Sequence, residues 1–233
     1  DAGIAQSCGS LGMATLRNDQ AAGLALLDKA CALGDAYGCW NTGRWYIEGR
    51  SVPKDETKGA LMVDRGCALG YPHACATFGS LLIEGVAVKS DVDRGLAMYQ
   101  KLCDNGQGYF CHQLGSMYAT DRAALADIRL PAPKQVKRDI AKGVRVWEQG
   151  CTLGSLWSCT LAANHYASGD GVTKDLGRAK ELYERGCDGT KGVQRDACTA
   201  LGELYEKGSG VAKDLGKAAD YYEKGCPGES CRR

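Results

Sequence analysis

Thirteen cysteines in a chain of 233 residues are the groups best able to do chemistry here. Thiols at this density serve either as a disulfide framework or as metal ligands. They are Cys8, Cys31, Cys39, Cys67, Cys75, Cys103, Cys111, Cys151, Cys159, Cys187, Cys198, Cys226 and Cys231. Four successive pairs sit eight residues apart, namely Cys31 with Cys39, Cys67 with Cys75, Cys103 with Cys111, and Cys151 with Cys159. Cys187 and Cys198 are eleven apart, and Cys226 and Cys231 five apart. Zinc ligand pairs typically lie two to four residues apart, and four ligands must converge on one point. The pairs here are dealt out one per repeat, so the spacing favours disulfides and no metal site is expected.

Geometry says how the pairs close. Eight residues of one helix span about 12 Å, whereas the Cα atoms of a disulfide lie within about 7 Å. The chain must therefore turn between the two cysteines. Ala32-Leu33-Gly34, Ala68-Leu69-Gly70 and Thr152-Leu153-Gly154 supply that turn, with a glycine able to take the left-handed conformation that ends a helix. Bridges are expected at the four eight-spaced pairs, at Cys187–Cys198 and at Cys226–Cys231, with Cys8 left over. Each would join the end of one helical hairpin to the start of the next.

Other reactive patterns are sparse. His73, His112 and His165 are the three histidines. His73 reads as a surface turn residue. His165 occupies a register filled elsewhere by Trp45, Leu81, Met117 and Leu204, which marks it as packed rather than basic. Ser51-Val-Pro-Lys54 has the spacing of the serine β-lactamase and penicillin-binding-protein motif, but no Lys-Thr-Gly strand accompanies it. Gly169-Asp-Gly171 and Gly208-Ser-Gly210 lack the lysine and the preceding strand of a phosphate loop. No catalytic residue and no cofactor are expected.

The elements that position these groups follow from the spacing. The gap of 28 between pairs recurs four times, which with the gap of eight makes a 36-residue period and a solenoid of supersecondary units. Cys8 to Cys31 is five residues short and Cys111 to Cys151 twelve long, both inside a unit where a loop belongs. Residues 198–207 carry apolar positions at helical spacing, Gly208-Ser-Gly210 breaks the helix, and Asp214 stands where an N-cap belongs. The same aspartate recurs as Asp19, Asp55, Asp91, Asp139 and Asp175. The fold class is all-α, an α-solenoid of about six disulfide-stapled antiparallel hairpins without a sheet. The chain reads as one domain over 1–233, in units of about 1–31, 32–67, 68–103, 104–151 with an insertion at 119–137, 152–187 and 188–233.

Composition removes some partners. Lys plus Arg is 29 and Asp plus Glu 28, without the basic excess that nucleic acid calls for. No apolar run approaches the roughly 18–20 residues that span a bilayer. The chain begins at Asp1, so a signal peptide removed from the precursor is expected, and the cysteines place the protein in the periplasm or outside the cell.

Leu201, Gly202, Tyr205, Gly208, Gly210, Val211, Asp214, Lys217, Ala218 and Tyr222 together resemble the Sel-one-like repeat family, a relative of the tetratricopeptide repeat. Tyr166, Gly169, Gly171, Val172, Asp175, Ala179 and Tyr183 repeat the match. The paired cysteines resemble its disulfide-rich branch, the Helicobacter cysteine-rich proteins. The resemblance implies a right-handed solenoid that binds another protein, in some relatives a secreted lipase effector that it neutralises. It also implies an alternative, β-lactam binding or weak β-lactamase or peptidoglycan-related activity.

The binding surface is expected where first-helix residues vary between repeats, because identical positions hold the core. These are Trp40, Asn41, Arg44 and Glu48, then Thr77 and Ser80, then His112, Gln113 and Ser116, then Asn164. Trp40 and Arg44, four apart, share a helix face and are of hot-spot type. Arg129 and Lys134 in the 119–137 insertion are expected to add a second contact beside the apolar Ile128, Leu130, Pro131 and Pro133.

Overall fold

In four hairpins a left-handed glycine, Gly49, Gly85, Gly169 or Gly208, ends the first helix, and in all six an aspartate starts the second. A computed structural model describes residues 2–50, 52–119, 136–188 and 194–225. Among them are twelve helices and no strand: α1 (Ala2–Thr15), α2 (Gln20–Ala32), α3 (Ala36–Glu48), α4 (Glu56–Ala68), α5 (Pro72–Glu84), α6 (Val92–Asp104), α7 (Gly108–Ala119), α8 (Ile140–Thr152), α9 (Leu156–Ser168), α10 (Leu176–Gly186), α11 (Arg195–Lys207) and α12 (Leu215–Gly225). The recurring aspartate caps the second helix of every hairpin. The backbone N–H groups of Ala22, Lys58, Arg94, Lys142, Arg178 and Lys217 donate to Asp19, Asp55, Asp91, Asp139, Asp175 and Asp214 at 2.9–3.0 Å. Each such bond satisfies one orphan donor of a helix start.

Two helices of a hairpin approach closely because glycines face each other where they cross. A Cβ on Gly43 would lie 2.6 Å from Val63 Cγ2 and 2.7 Å from the Gly59 carbonyl oxygen. One on Gly59 would lie 2.6 Å from the Gly43 oxygen. Neither contact is tolerable, so α3 and α4 can sit this near only with glycine on both sides.

The joints between hairpins carry the cystines. Cys31–Cys39, Cys67–Cys75, Cys103–Cys111, Cys151–Cys159 and Cys187–Cys198 are bridged, with Cα–Cα separations of 4.4–4.9 Å. The turns inside the first four loops use Gly34, Gly70, Gly106 and Gly154, all with φ between 85° and 95°. Cys8 is free and half-buried. Cys226 and Cys231, and with them the sixth expected bridge, lie outside the described residues.

The contacts divide the chain into two units. Among the described residues the first holds 2–50 and 52–102, and the second 103–119, 136–188 and 194–225. In the first, α1 packs on α2 and α3 on α4, and a core of Ile47, Ala60, Val63, Phe78, Leu81 and Leu82 joins successive hairpins. In the second, Val144, Trp147, Ala162, Leu182 and Leu201 are fully enclosed within one cluster spanning α7 to α11. Polar pairs tie hairpin to hairpin at the rim of these cores. The Tyr46 hydroxyl donates to Asp28 at 3.3 Å in the first unit. In the second, the Tyr166 hydroxyl donates to Glu148 at 3.3 Å and Arg178 grips the same carboxylate at 2.7 and 2.9 Å.

Candidate binding surface

In the first unit the variable face of α3 meets the start of α5. The Trp40 indole N–H donates to Thr77 Oγ1 at 2.9 Å, and the Thr77 hydroxyl donates to the His73 carbonyl at 2.8 Å. The indole is thus held in one orientation by the next hairpin. The Arg44 guanidinium lies 4.9 Å from the Trp40 ring centroid, in cation–π range, and pairs with Glu48 at 3.0 Å. Arg50 pairs with the other oxygen of Glu48.

Trp40 is the hub of a cluster of rings. Its centroid lies 5.9 Å from Tyr37, 5.3 Å from Tyr71 and 5.8 Å from His73. Tyr37 and Tyr71 meet edge to face at 5.7 Å, and Tyr71 and His73 lie 5.5 Å apart. Rings this close are packed on one another, with no gap to cage a ligand between them. They present a platform. Tyr37 and His73 are exposed, while Trp40, Arg44, Tyr71 and Thr77 are half-buried. Desolvation by the neighbouring rings lowers the His73 imidazole from its ordinary value and so disfavours the imidazolium. The same cause raises the Tyr71 phenol.

The other residues singled out from the sequence are placed differently. Asn41 is buried, its amide donating to the Tyr37 carbonyl at 3.0 Å. Ser80 is buried and shares a 2.7 Å hydrogen bond with the Tyr99 hydroxyl. Glu48 is exposed. In the second unit Gln113 and Ser116 are buried and His112 is half-buried. The Gln113 amide donates to the Tyr109 hydroxyl at 3.0 Å. The His112 carbonyl accepts from Ser116 Oγ at 2.9 Å and from the Trp147 indole at 3.1 Å. Asn164 is exposed and accepts from the Tyr183 hydroxyl at 2.7 Å. Trp40 and Arg44 belong to the first unit, His112 and Gln113 to the second. Arg129 and Lys134 lie outside the described residues, as does Ser51.

His165 stacks on Trp147 at 5.4 Å and its Nδ1 is 2.9 Å from the Asp170 carbonyl, the arrangement of a packed side chain. Among the described residues no group of three His, Cys, Asp or Glu side chains is arranged to hold a metal. No helix among them is long and apolar enough to cross a membrane.

Varying positions after the cysteine do not point to Tyr37, which stands two residues before it, nor to Tyr71, which closes the preceding turn. The available signal was the ring at the residue two before the cysteine, seen again in His73, Tyr109 and Trp157.

Comparison with known proteins adds the family. A family model described as Sel1 repeat matches residues 3–35, 36–71, 73–107, 158–190 and 195–226, well over half of the chain. Cytochrome c oxidase assembly factor 7A of Xenopus laevis is 36% identical over 53 residues, which cover 23% of this chain and 23% of that protein. A crystal structure of a protective antigen present in uropathogenic Escherichia coli strains, displaying an SLR fold, superposes with a TM-score of 0.71 at 23% identity. That match covers 97% of this chain and 46% of the antigen, so the chain spans less than half of its length. A Sel1 repeat protein from Oxalobacter formigenes gives a TM-score of 0.64 at 20% identity, covering 94% of this chain and 84% of that one. At these identities the likeness is one of fold.

Proposed function

The chain belongs to the Sel1 repeat family, and from that premise we propose that it is a protein-binding scaffold without catalytic activity, working outside the reducing cytoplasm. The observation that carries the reading is the Trp40 platform. It combines tryptophan, tyrosine and arginine, the residue types that dominate interface hot spots, on a side chain pre-oriented by the Thr77 hydrogen bond. A side chain already fixed loses little freedom on binding.

The compartment rests on the five cystines, which persist where the environment is oxidising. In its finer form the reading makes the partner a secreted effector whose action the scaffold blocks. The partner meets Trp40, Arg44 and the exposed rings beside them. Asn41 and Ser80 in the same unit, and Gln113 and Ser116 in the other, are buried and stand outside the proposed contact.

The test compares the wild type with a Trp40→Ala/Arg44→Ala double variant as bait in an extract of the periplasm. A captured partner should then be titrated against both proteins by calorimetry. Loss of about 1–4 kcal/mol in the variant is expected for a hot-spot pair. Unchanged affinity in a variant that keeps its helical spectrum would move the interface elsewhere. Nitrocefin turnover by the wild type, abolished by Ser51→Ala, would replace the scaffold reading with a catalytic one.

A further inference from the structure

The large apolar side chains left exposed are concentrated at one end of the hairpins. Of ten such side chains among the described residues, six lie at the cystine turns or the first helical turn after them: Leu33, Tyr37, Leu69, Tyr109, Leu153 and Trp157. A ring stands two residues before the cysteine of each internal first helix, as Tyr37, His73, Tyr109 and Trp157. Tyr37 is 39% exposed, Tyr109 53% and Trp157 56%, and His73 is exposed as well. In α1 and α11 the same register holds Gln6 and Asp196, both exposed. The fold therefore accepts a polar side chain at this position. Packing accounts for part of this, since Tyr37 and His73 lean on Trp40 and Tyr71 and the Tyr109 hydroxyl accepts from Gln113, but each ring leaves more than a third of its surface to solvent, which burial does not reward.

Charge sorts the two ends further. The cystine turns 32–38, 68–74, 104–110 and 152–158 contain no Lys or Arg and only two acids, Asp35 and Asp104. Asp35 caps α3 at 3.1 Å through the Tyr37 N–H, and Asp104 accepts from Gln149 at 2.8 Å. At the opposite end, residues 49–58 alone hold Arg50, Lys54, Asp55, Glu56 and Lys58. Beside them the Arg65 guanidinium donates to the Ala32 carbonyl at 3.1 Å; rings with so few charges are the composition of an interface core.

Spacing identifies the occupant. In the first unit α3 touches α5, and in the second α7 touches α9, so in each unit two of the rings stand on neighbouring hairpins. Packed helices lie about 8–10 Å apart. A helical ligand lays anchors at i, i+3, i+4 and i+7 into a groove, whereas the rings around Tyr37 and His73 are packed into a platform without one. A polyproline II segment has three residues per turn and rises about 3.1 Å per residue, so one face recurs roughly every 9 Å. That repeat matches one ring per hairpin, and aromatic-lined surfaces are what such segments dock on.

We propose that Tyr37 with His73, and Tyr109 with Trp157, are recognition surfaces for an extended, uncharged, proline-rich segment of a partner protein, read at every third residue. The proposal rests on the protein-binding reading and names the chemistry of the bound segment. It places the contact at the cystine end of each unit.

The experiment titrates the full chain with the capped peptide (Pro-Pro-Leu)4, following tryptophan fluorescence. (Pro-Pro-Glu)4 and the flexible (Gly-Ser-Leu)4 serve as comparisons. The wild type should bind the first at least ten-fold more tightly than either other. Trp157→Ser and, separately, Tyr37→Ser/His73→Ser should each weaken binding several-fold while the far-ultraviolet spectrum stays helical. Tyr109→Phe keeps the ring if Tyr109→Ser fails to fold, and it should retain affinity. Equal affinity for the flexible peptide, no response to any peptide, or full binding by the ring variants overturns the proposal. So does a result in which the rings are needed only for adsorption to phosphatidylcholine vesicles. If Trp40→Ala/Arg44→Ala loses a captured partner while (Pro-Pro-Leu)4 never binds, the scaffold reading stands and this one falls.

Discussion

Tyr183 shows how one side chain of the second unit serves packing and polarity together. It is 4% exposed, and its hydroxyl donates to Asn164 at 2.7 Å. Burial is the main cause that pushes the phenol up to about 12, with Glu203 adding to it. An unfolded tyrosine ionises near pH 10, so between about 10 and 12 the unfolded state gives up this proton first. The stabilisation is complete below pH 10 and is lost as pH rises through 12. Urea unfolding at a series of alkaline pH values should show stability falling across that window, with a shallower fall in Tyr183→Phe. At neutral pH the same variant should lose about 1 kcal/mol, the usual net worth of one hydrogen bond. An alkaline profile identical in variant and wild type would assign the loss to other groups.

Hairpins depend on two local devices, and each can be removed by itself. The first is the glycine crossing. Gly43→Ala puts a methyl group 2.6 Å from Val63 Cγ2 and 2.7 Å from a backbone oxygen, and the backbone cannot swing aside as a flexible side chain would. Overpacking of this kind costs about 1–3 kcal/mol. A drop in melting temperature is therefore expected even though alanine is the better helix former. The second device is the cystine joint. Replacing Cys67 and Cys75 with serine removes a crosslink over eight residues. In the chain-entropy account that lowers stability by about 2–3 kcal/mol. Chemical denaturation of each variant checks both figures, and a stability equal to wild type would contradict the respective device.

Among the described residues five such joints act together, and over the whole chain the formal charges nearly cancel at +1. Reduction with a phosphine should lower the melting temperature far more than any single cysteine pair does, while the far-ultraviolet spectrum of the oxidised protein remains purely helical. Retention of the full melting temperature after complete reduction would show the joints to be dispensable. With little net charge, association with a partner should be governed by local matching rather than long-range steering. The rate of association should accordingly change little between low and high salt, and a steep salt dependence would point to a charged partner surface.

The 36-residue period, the aspartate caps, the left-handed glycines and the eight-residue cystines are all legible in the chain because each is a local constraint. A carboxylate must stand at the helix start, a glycine where φ is positive, and two cysteines within one turn. Exposure is a different kind of property. Asn41, Ser80, Gln113 and Ser116 vary between repeats, yet neighbouring helices bury them, each with a hydrogen bond made inside its own unit. Variation shows only that a position is not held to one residue. Whether water or a partner can reach it depends on helices far away in the sequence. That is why Tyr37 and His73 in the first unit, and Tyr109 and Trp157 in the second, each two residues before a cysteine, emerge as exposed rings only once the hairpins are packed.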